Sequence, residues 1–333
     1  LEFRRVLFRS GFTTHYIFGM KAYNDMPFTP LKHTIAKYRW LYQLGLQGPD
    51  MFFYNIPILR HRDYRNVGSY MHEHKVNAFF ECCLRRIGTI RSRQQQEEAI
   101  SYLAGFMNHY IADSICHPYV YGRIGYPVDA PTSMHHGMHA HLENELDAIL
   151  LWKYKKKKPS EFNQTATICL NGQEIQFISH FLASCINETY YPITYRNNFQ
   201  VTPAMVHRSI WALRFGCRTL SDKNGKKKFG IAQVESIFVN HPVASAKMVT
   251  DSVTDYRSSC NLNHEAWSNP WDPTRVSTAS FVDLFHETLD KCSRVYALLN
   301  SAVTDNMPLD KQDLSPLLTE LGNESYHSGL PVD

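Results

Sequence analysis

The 333-residue sequence contains no run of about eighteen apolar residues, so no segment reads as a membrane-spanning helix. It has no Cys-x-x-Cys pair, which argues against a thiolate zinc site. Cys82 and Cys83 are adjacent and the other cysteines are scattered singly, which is not the spacing of a disulfide framework. Reduced, mostly buried thiols are expected instead. No internal repeat occurs, and no Pro/Gly/Ser-rich linker divides the chain. Charge is sparse as well: 20% of residues are charged and the formal net charge is +4, too mild an excess to point to nucleic acid. What is present is an apolar fraction of 44%, enough for a substantial core, and 13% aromatics. Histidine is abundant, with 17 in all, and eleven of these fall between His15 and His141.

The periodicity is helical, and the expected fold class is all-α: a multi-helix single domain over residues 11–302. The first ten residues, LEFRRVLFRS, are basic and apolar but lack the apolar stretch of a secretion signal. They are expected to be a non-native or disordered leader, with a cytoplasmic location following from that reading. Helices are expected at 29–44, with Thr29 as N-cap and Pro30 at the first helical position, and at 68–88, capped by Ser69. A third is expected from Gln94 to His117, stopped by Pro118, and a fourth from Ser133 to Tyr154. Residues 165–177 read as a small β-hairpin insertion around Asn171-Gly172. Further helices are expected at 178–189, 202–220, 242–255 and 277–302, followed by a loose polar tail over 303–333.

The chemistry-bearing residues lie on the third and fourth helices. His109, Asp113 and His117 are spaced four apart, so they share one face of a largely apolar helix. His139 and Glu143 repeat the spacing, followed by Asp147, while His141 and Glu145 offer a competing pair in the neighbouring register. Two nitrogen or oxygen donors four apart let one rigid helix supply both to a divalent metal. Any one such pair also fits a surface ion pair, but two such helices close together in sequence favour metal, because a buried carboxylate is costly without a partner. His15 (in TTHYIFG), Asp50 (in GPDMFFY) and His72 (in SYMHEHK, with His74 two residues on) are further candidates. His264 and Trp267 lie in an aromatic-rich loop and suit core packing or a cleft wall.

The order His15, Asp50, His72, His109-xxx-Asp113, His117, His139-xxx-Glu143 resembles the zinc-dependent phospholipase C family of bacteria, whose superfamily also holds single-strand nucleases (the phospholipase C/P1 nuclease type). HAHLENELD is similar to that family's H-x-x-x-E-x-x-x-D segment, which favours His139 and Glu143 over His141 and Glu145. The resemblance runs from about Gly11 to Leu150. It implies a helical domain whose cleft holds two to three Zn2+ ions and which hydrolyses a phosphodiester, with a phospholipid as the leading substrate. Asp50, His72, His109 and Asp113 would hold one ion, with Asp113 bridging to a second that takes His117, His139 or Glu143. His15 would serve the ion nearest the chain start, and Asp50 would double as general base. Met51 and Ser69 stand where the family carries choline-pocket aromatics, so Phe52, Phe53 and Tyr54 are the candidate substrate wall. The resemblance implies transient membrane-surface contact and no stable nucleic-acid complex. The rival readings are a single-strand nuclease, using Tyr119, Tyr121, Arg123 and Tyr126, and a catalytically lapsed metal-binding helical protein.

Overall fold

The computed structural model of the protein describes residues 11–54, 67–190, 200–220, 224–238 and 255–333, together with 222, 245, 248–251 and 253. The proposed leader and half of the helix expected at 242–255 lie outside the described residues, and the described part of that helix, at 245, 248–251, 253 and 255, is not α-helical. Among the described residues the fold is all-α with one two-stranded antiparallel hairpin. In chain order the helices are α1 (Phe12–Asp25), α2 (Pro30–Lys37), α3 (Arg39–Gly45), α4 (Val67–Glu73), α5 (Val76–Thr89), α6 (Arg93–Arg123), α7 (Ser133–Lys155), α8 (Gly172–Thr189), α9 (Pro203–Leu220), α10 (Lys226–Phe238), α11 (Tyr256–Ser259), α12 (Phe281–Thr304) and α13 (Ser315–Leu321). The hairpin strands β1 (Trp267–Asn269) and β2 (Asp272–Ser277) lie between α11 and α12.

Helix α6 is the central element, and nearly every residue from Glu98 to Tyr121 is buried. That burial explains why Pro118 does not stop it. The lost hydrogen bond and ring clash of an internal proline cost about 3 kcal/mol, and packing on all sides outweighs this. Helix α3 crosses α6 at backbone contact: a Cβ on Gly45 would sit 2.1 Å from Tyr102 O, and one on Gly105 would sit 2.1 Å from Tyr42 O. Only glycine at both places permits so close a crossing. Tyrosines tie α1, α3, α6 and α12 together. Tyr42 Oη donates to Gly19 O at 2.8 Å and lies 3.0 Å from Tyr296 Oη, which bonds Ala104 O at 3.1 Å.

Several expectations are corrected. The helix expected at 29–44 keeps its Thr29 cap, whose Oγ1 accepts from Lys32 N, but breaks at Tyr38 into α2 and α3. The helix expected at 68–88 divides at Lys75, whose φ is +49°, and Ser69 lies inside α4 rather than at its cap. No hairpin forms at 165–177. Asn171 instead caps α8, accepting from Glu174 N at 2.9 Å while Glu174 Oε2 accepts from Asn171 N at 2.8 Å. Asn-x-x-Glu is a capping box, and here it prevails over the Asn-Gly turn signal. Residues 303–333 are not loose: α13 packs against α12 and α5, and Leu309, Leu314, Leu317, Leu321 and Tyr326 are buried. All eight cysteines are free, and all but Cys82 and Cys169 are buried. Among the described residues no helix is long and apolar enough to cross a membrane.

Candidate metal centre

Four elements converge on Asp113. The 3₁₀ turn Gly48–Tyr54 carries Asp50, α4 carries His72, α1 carries His15, and α6 carries His109, Asp113 and His117. Asp113 Oδ1 lies 3.1 Å from His15 Nε2, whereas Oδ2 lies 3.2 Å from His109 Nε2 and 3.8 Å from His72 Nε2. His72 Nε2 is also 3.1 Å from Asp50 Oδ1. Asp50, His72, His109 and Asp113 thus bring four donor atoms within 4.8 Å of one another, all from buried residues. A second group of three stands beside it. His117 Nε2 and His139 Nε2 converge on Glu143 Oε1, at 3.2 and 3.0 Å. A cavity of about 20 Å³ lies between the groups, lined by Gly11, His15, Asp113, His117 and Glu143.

Three imidazoles are oriented by backbone. The Nδ1–H groups of His72, His109 and His117 donate to Gly68 O at 2.6 Å, Leu46 O at 3.1 Å and Tyr326 O at 2.7 Å. Each bond fixes the ring so that Nε2 faces inward, which is how metal-binding histidines are commonly held. The α3–α6 crossing brings Leu46 O within reach of His109. Gly48, at φ +46°, completes the seat, since a Cβ there would lie 2.2 Å from the His109 ring.

The electrostatics follow from packing. Burial alone would raise the pKa of Asp113, but His117, His109 and His15 overcome it and hold the carboxylate well below its usual range. Burial likewise opposes ionisation of Glu143, and His139 and His117 reverse the sign. Burial would lower the pKa of His15, and the Asp113 carboxylate raises it instead. Asp147 differs. Burial pushes it up to about 6, although it accepts N–H bonds from Thr14 at 2.7 Å and Thr13 at 3.3 Å and so anchors the start of α1 to α7. The donor set is imidazole nitrogen and carboxylate oxygen, with His109 Nε2 and His139 Nε2 turned onto the carboxylates of Asp113 and Glu143. These are the donor types and the inward aim that zinc requires, so the residues present fit it.

His139 and Glu143 are the pair brought into the centre. In the competing pair, the His141 side chain is 49% exposed and Glu145 bonds Ser259 Oγ. His74, beside His72, is only partly buried and packs on Tyr70. Phe52 and Tyr54 belong to the buried core, and Phe53, also buried, lies behind His72 at a ring distance of 5.5 Å. Partly exposed aromatics stand elsewhere, where Tyr126 stacks on Trp271 and both pack on Tyr121, itself 4.5 Å from the His139 ring. His264 is exposed and bonds Thr278 O, while Trp267 packs edge-on to Tyr119 and donates to Ala279 O. A larger cavity of about 300 Å³, lined by residues including Ser114, Trp267, Arg275, Lys291 and Gly329, holds none of the donor residues.

Sequence reasoning missed the C-terminal segment. Tyr326 O orients His117, and the Tyr326 ring packs 4.7 Å from His72. His327 stacks over His72 at 5.0 Å and over His117 at 6.0 Å, with its Nδ1 bonded to Tyr121 Oη. No spacing signal links residues more than two hundred positions apart.

Buried histidines and carboxylates in two adjoining groups, held by a helical scaffold, define the class: a centre built to bind divalent metal between helices. The chain belongs to the zinc-dependent phospholipase C family, whose profile matches residues 14–194. That span contains every donor residue named above. No curated protein and no solved structure matches the chain.

Proposed function

We propose that the protein hydrolyses a phospholipid at the phosphodiester bond, releasing diacylglycerol and a phosphorylated head group. The observation that carries this reading is the pair of adjoining buried donor groups around Asp113, in a member of the zinc-dependent phospholipase C family. Asp50, His72, His109 and Asp113 would hold one zinc, and His117, His139 and Glu143 a second. The two Asp113 oxygens face different histidines, which supports a bridging role toward an ion that also takes His15, and so two to three ions in all. When bound, zinc supplies positive charge to the phosphate oxygens and makes water more acidic at neutral pH. Asp50 accepts the proton of the attacking water. The water oxygen bonds to phosphorus, the P–O bond to glycerol breaks, and the leaving oxygen takes up the proton that Asp50 gives back through solvent, which restores the carboxylate. The backbone-anchored imidazoles of His72, His109 and His117 keep the donors in place through the reaction.

The single-strand nuclease reading draws support from Tyr121, Tyr126 and Trp271 beside His139, an aromatic surface on which a base could stack. Parallel incubation with mixed phospholipid vesicles and with single-stranded DNA separates the two. The proposal expects diacylglycerol and phosphorylated head group, with the DNA intact. Rapid DNA cleavage without lipid products would replace it with the nuclease reading, and zinc without either turnover would replace it with a lapsed enzyme.

A further inference from the structure

Helix α9 buries one face and leaves the other bare. Val206, Ile210, Leu213 and Cys217 point into the core, while Arg208, Trp211, Phe215 and Arg218 share the opposite, exposed face with Arg214 at its edge. Trp211 and Phe215 are 63% and 53% exposed, and their rings stack on each other at 5.4 Å and 9°. Large aromatics are rarely left paired in water without a use. None of the three arginines makes an ion pair or a side-chain hydrogen bond among the described residues. From Arg208 to Lys228 the sequence carries seven Lys or Arg and a single acidic residue, Asp222. The following helix, α10, repeats the composition, with Lys226, Lys227 and Phe229 exposed.

We infer that this face docks the protein on an anionic phospholipid surface, Trp211 and Phe215 entering the interfacial layer and the arginines pairing with lipid phosphates. Aromatics flanked by unpaired cations along one face of a helix lying flat are what such a surface retains. The buried side of the same helix supports the centre. Gly216 lies so close to Tyr54 that a Cβ would come within 2.5 Å of its ring, and Tyr54 ends the turn that carries Asp50. The inference deepens the phospholipase reading, on which it rests for the choice of a lipid surface as occupant.

The test uses the full zinc-loaded chain, as wild type, as Trp211→Ala/Phe215→Ala and as Arg208→Gln/Arg214→Gln/Arg218→Gln. Co-sedimentation is measured with phosphatidylcholine vesicles with and without about a third phosphatidylserine, alongside turnover of a soluble chromogenic phosphodiester. Wild type is expected to prefer the anionic vesicles and to be released by salt. The aromatic variant should lose roughly tenfold or more in vesicle partitioning, and the arginine variant should lose the anionic preference. Turnover of the soluble substrate should be unchanged in both, since every substitution is on the exposed side of α9. Unchanged vesicle binding by both variants would overturn the inference. So would a wild-type dimer dissolved by the aromatic substitutions, or tighter binding to single-stranded DNA than to vesicles at equal salt. Absence of soluble-substrate turnover with vesicle binding intact would count against the phospholipase reading and leave the docking face standing.

Discussion

The two donor groups are built to different standards. In the first, His72 and His109 are each anchored through Nδ1 to a carbonyl of a short, buried element, and Gly48 and the α3–α6 crossing leave the His109 ring no room to turn. In the second, only His117 has such an anchor, and it comes from the C-terminal segment. His139 Nδ1 has no anchor of this kind among the described residues, and its Nε2 faces Glu143 Oε1 at 3.0 Å. Preorganised donors bind metal more tightly because less order must be imposed on binding. The first group is therefore expected to be the tighter zinc site, with Asp113, near histidines of both, as the expected point of coupling.

The largest expected effect is at that point of coupling. Asp113→Asn should lower kcat for a soluble phosphodiester by at least about a thousandfold, because one residue serves His15, His109 and His72, whereas Glu143→Gln should cost roughly ten- to a hundredfold. Steady-state kinetics on the two variants checks this, and equal, mild losses would break the asymmetry between the groups.

Next in size is a stability effect at Asp147, which joins the helix of His15 to the helix of Glu143. Its folded-state pKa of about 6 lies above its ordinary 3.8, so the folded protein holds this proton more tightly than the unfolded chain does. Stability should therefore fall as pH rises from about 4 through about 6, by an amount on the order of 3 kcal/mol for this group alone. Denaturant titrations of metal-free protein across that window should show the decline, and Asp147→Asn should flatten it. A slope unaltered by the substitution would mean that Asp147 is ionised at no cost.

Smaller again is Gly48→Ala. The added methyl displaces the His109 ring and should weaken zinc at the first group by roughly ten- to a hundredfold. Zinc titration of the folded variant should show the second group unaffected; weakening of both alike would show that the groups are not separable. The smallest effect belongs to His141→Ala. It is outside the centre despite sharing the spacing of His139, and kcat should stay within about twofold of wild type. A loss comparable to that of His139→Ala would reverse the register chosen on α7.

How far the sequence revealed this centre depended on distance along the chain. The pairs four apart on α6 and α7 were legible because helical period alone puts them on one face, and the order of His15, Asp50 and His72 was legible through family resemblance. The choice between His139/Glu143 and His141/Glu145 needed that resemblance too, since both registers obey the same spacing and only packing separates them. Tyr326 and His327 were illegible, because a backbone carbonyl carries no residue-type signal and the last residues of the chain read as polar. The helical class was evident from periodicity. The breaks at Tyr38 and Lys75 and the persistence of α6 through Pro118 were not, because tertiary packing outweighs local preference at those positions. The supposed hairpin at Asn171-Gly172 failed for a nearer reason, since Glu174 three residues on already signalled a helix cap.

The groups around Asp113 are proposed to hold zinc, and hydrolysis to depend on it. Elemental analysis of the purified protein, paired with phosphodiester turnover before chelation, after it and after zinc is restored, tests this most directly. Two to three zinc ions per chain are expected, with turnover lost on chelation and regained with zinc. Full turnover by protein shown to be free of zinc would contradict it.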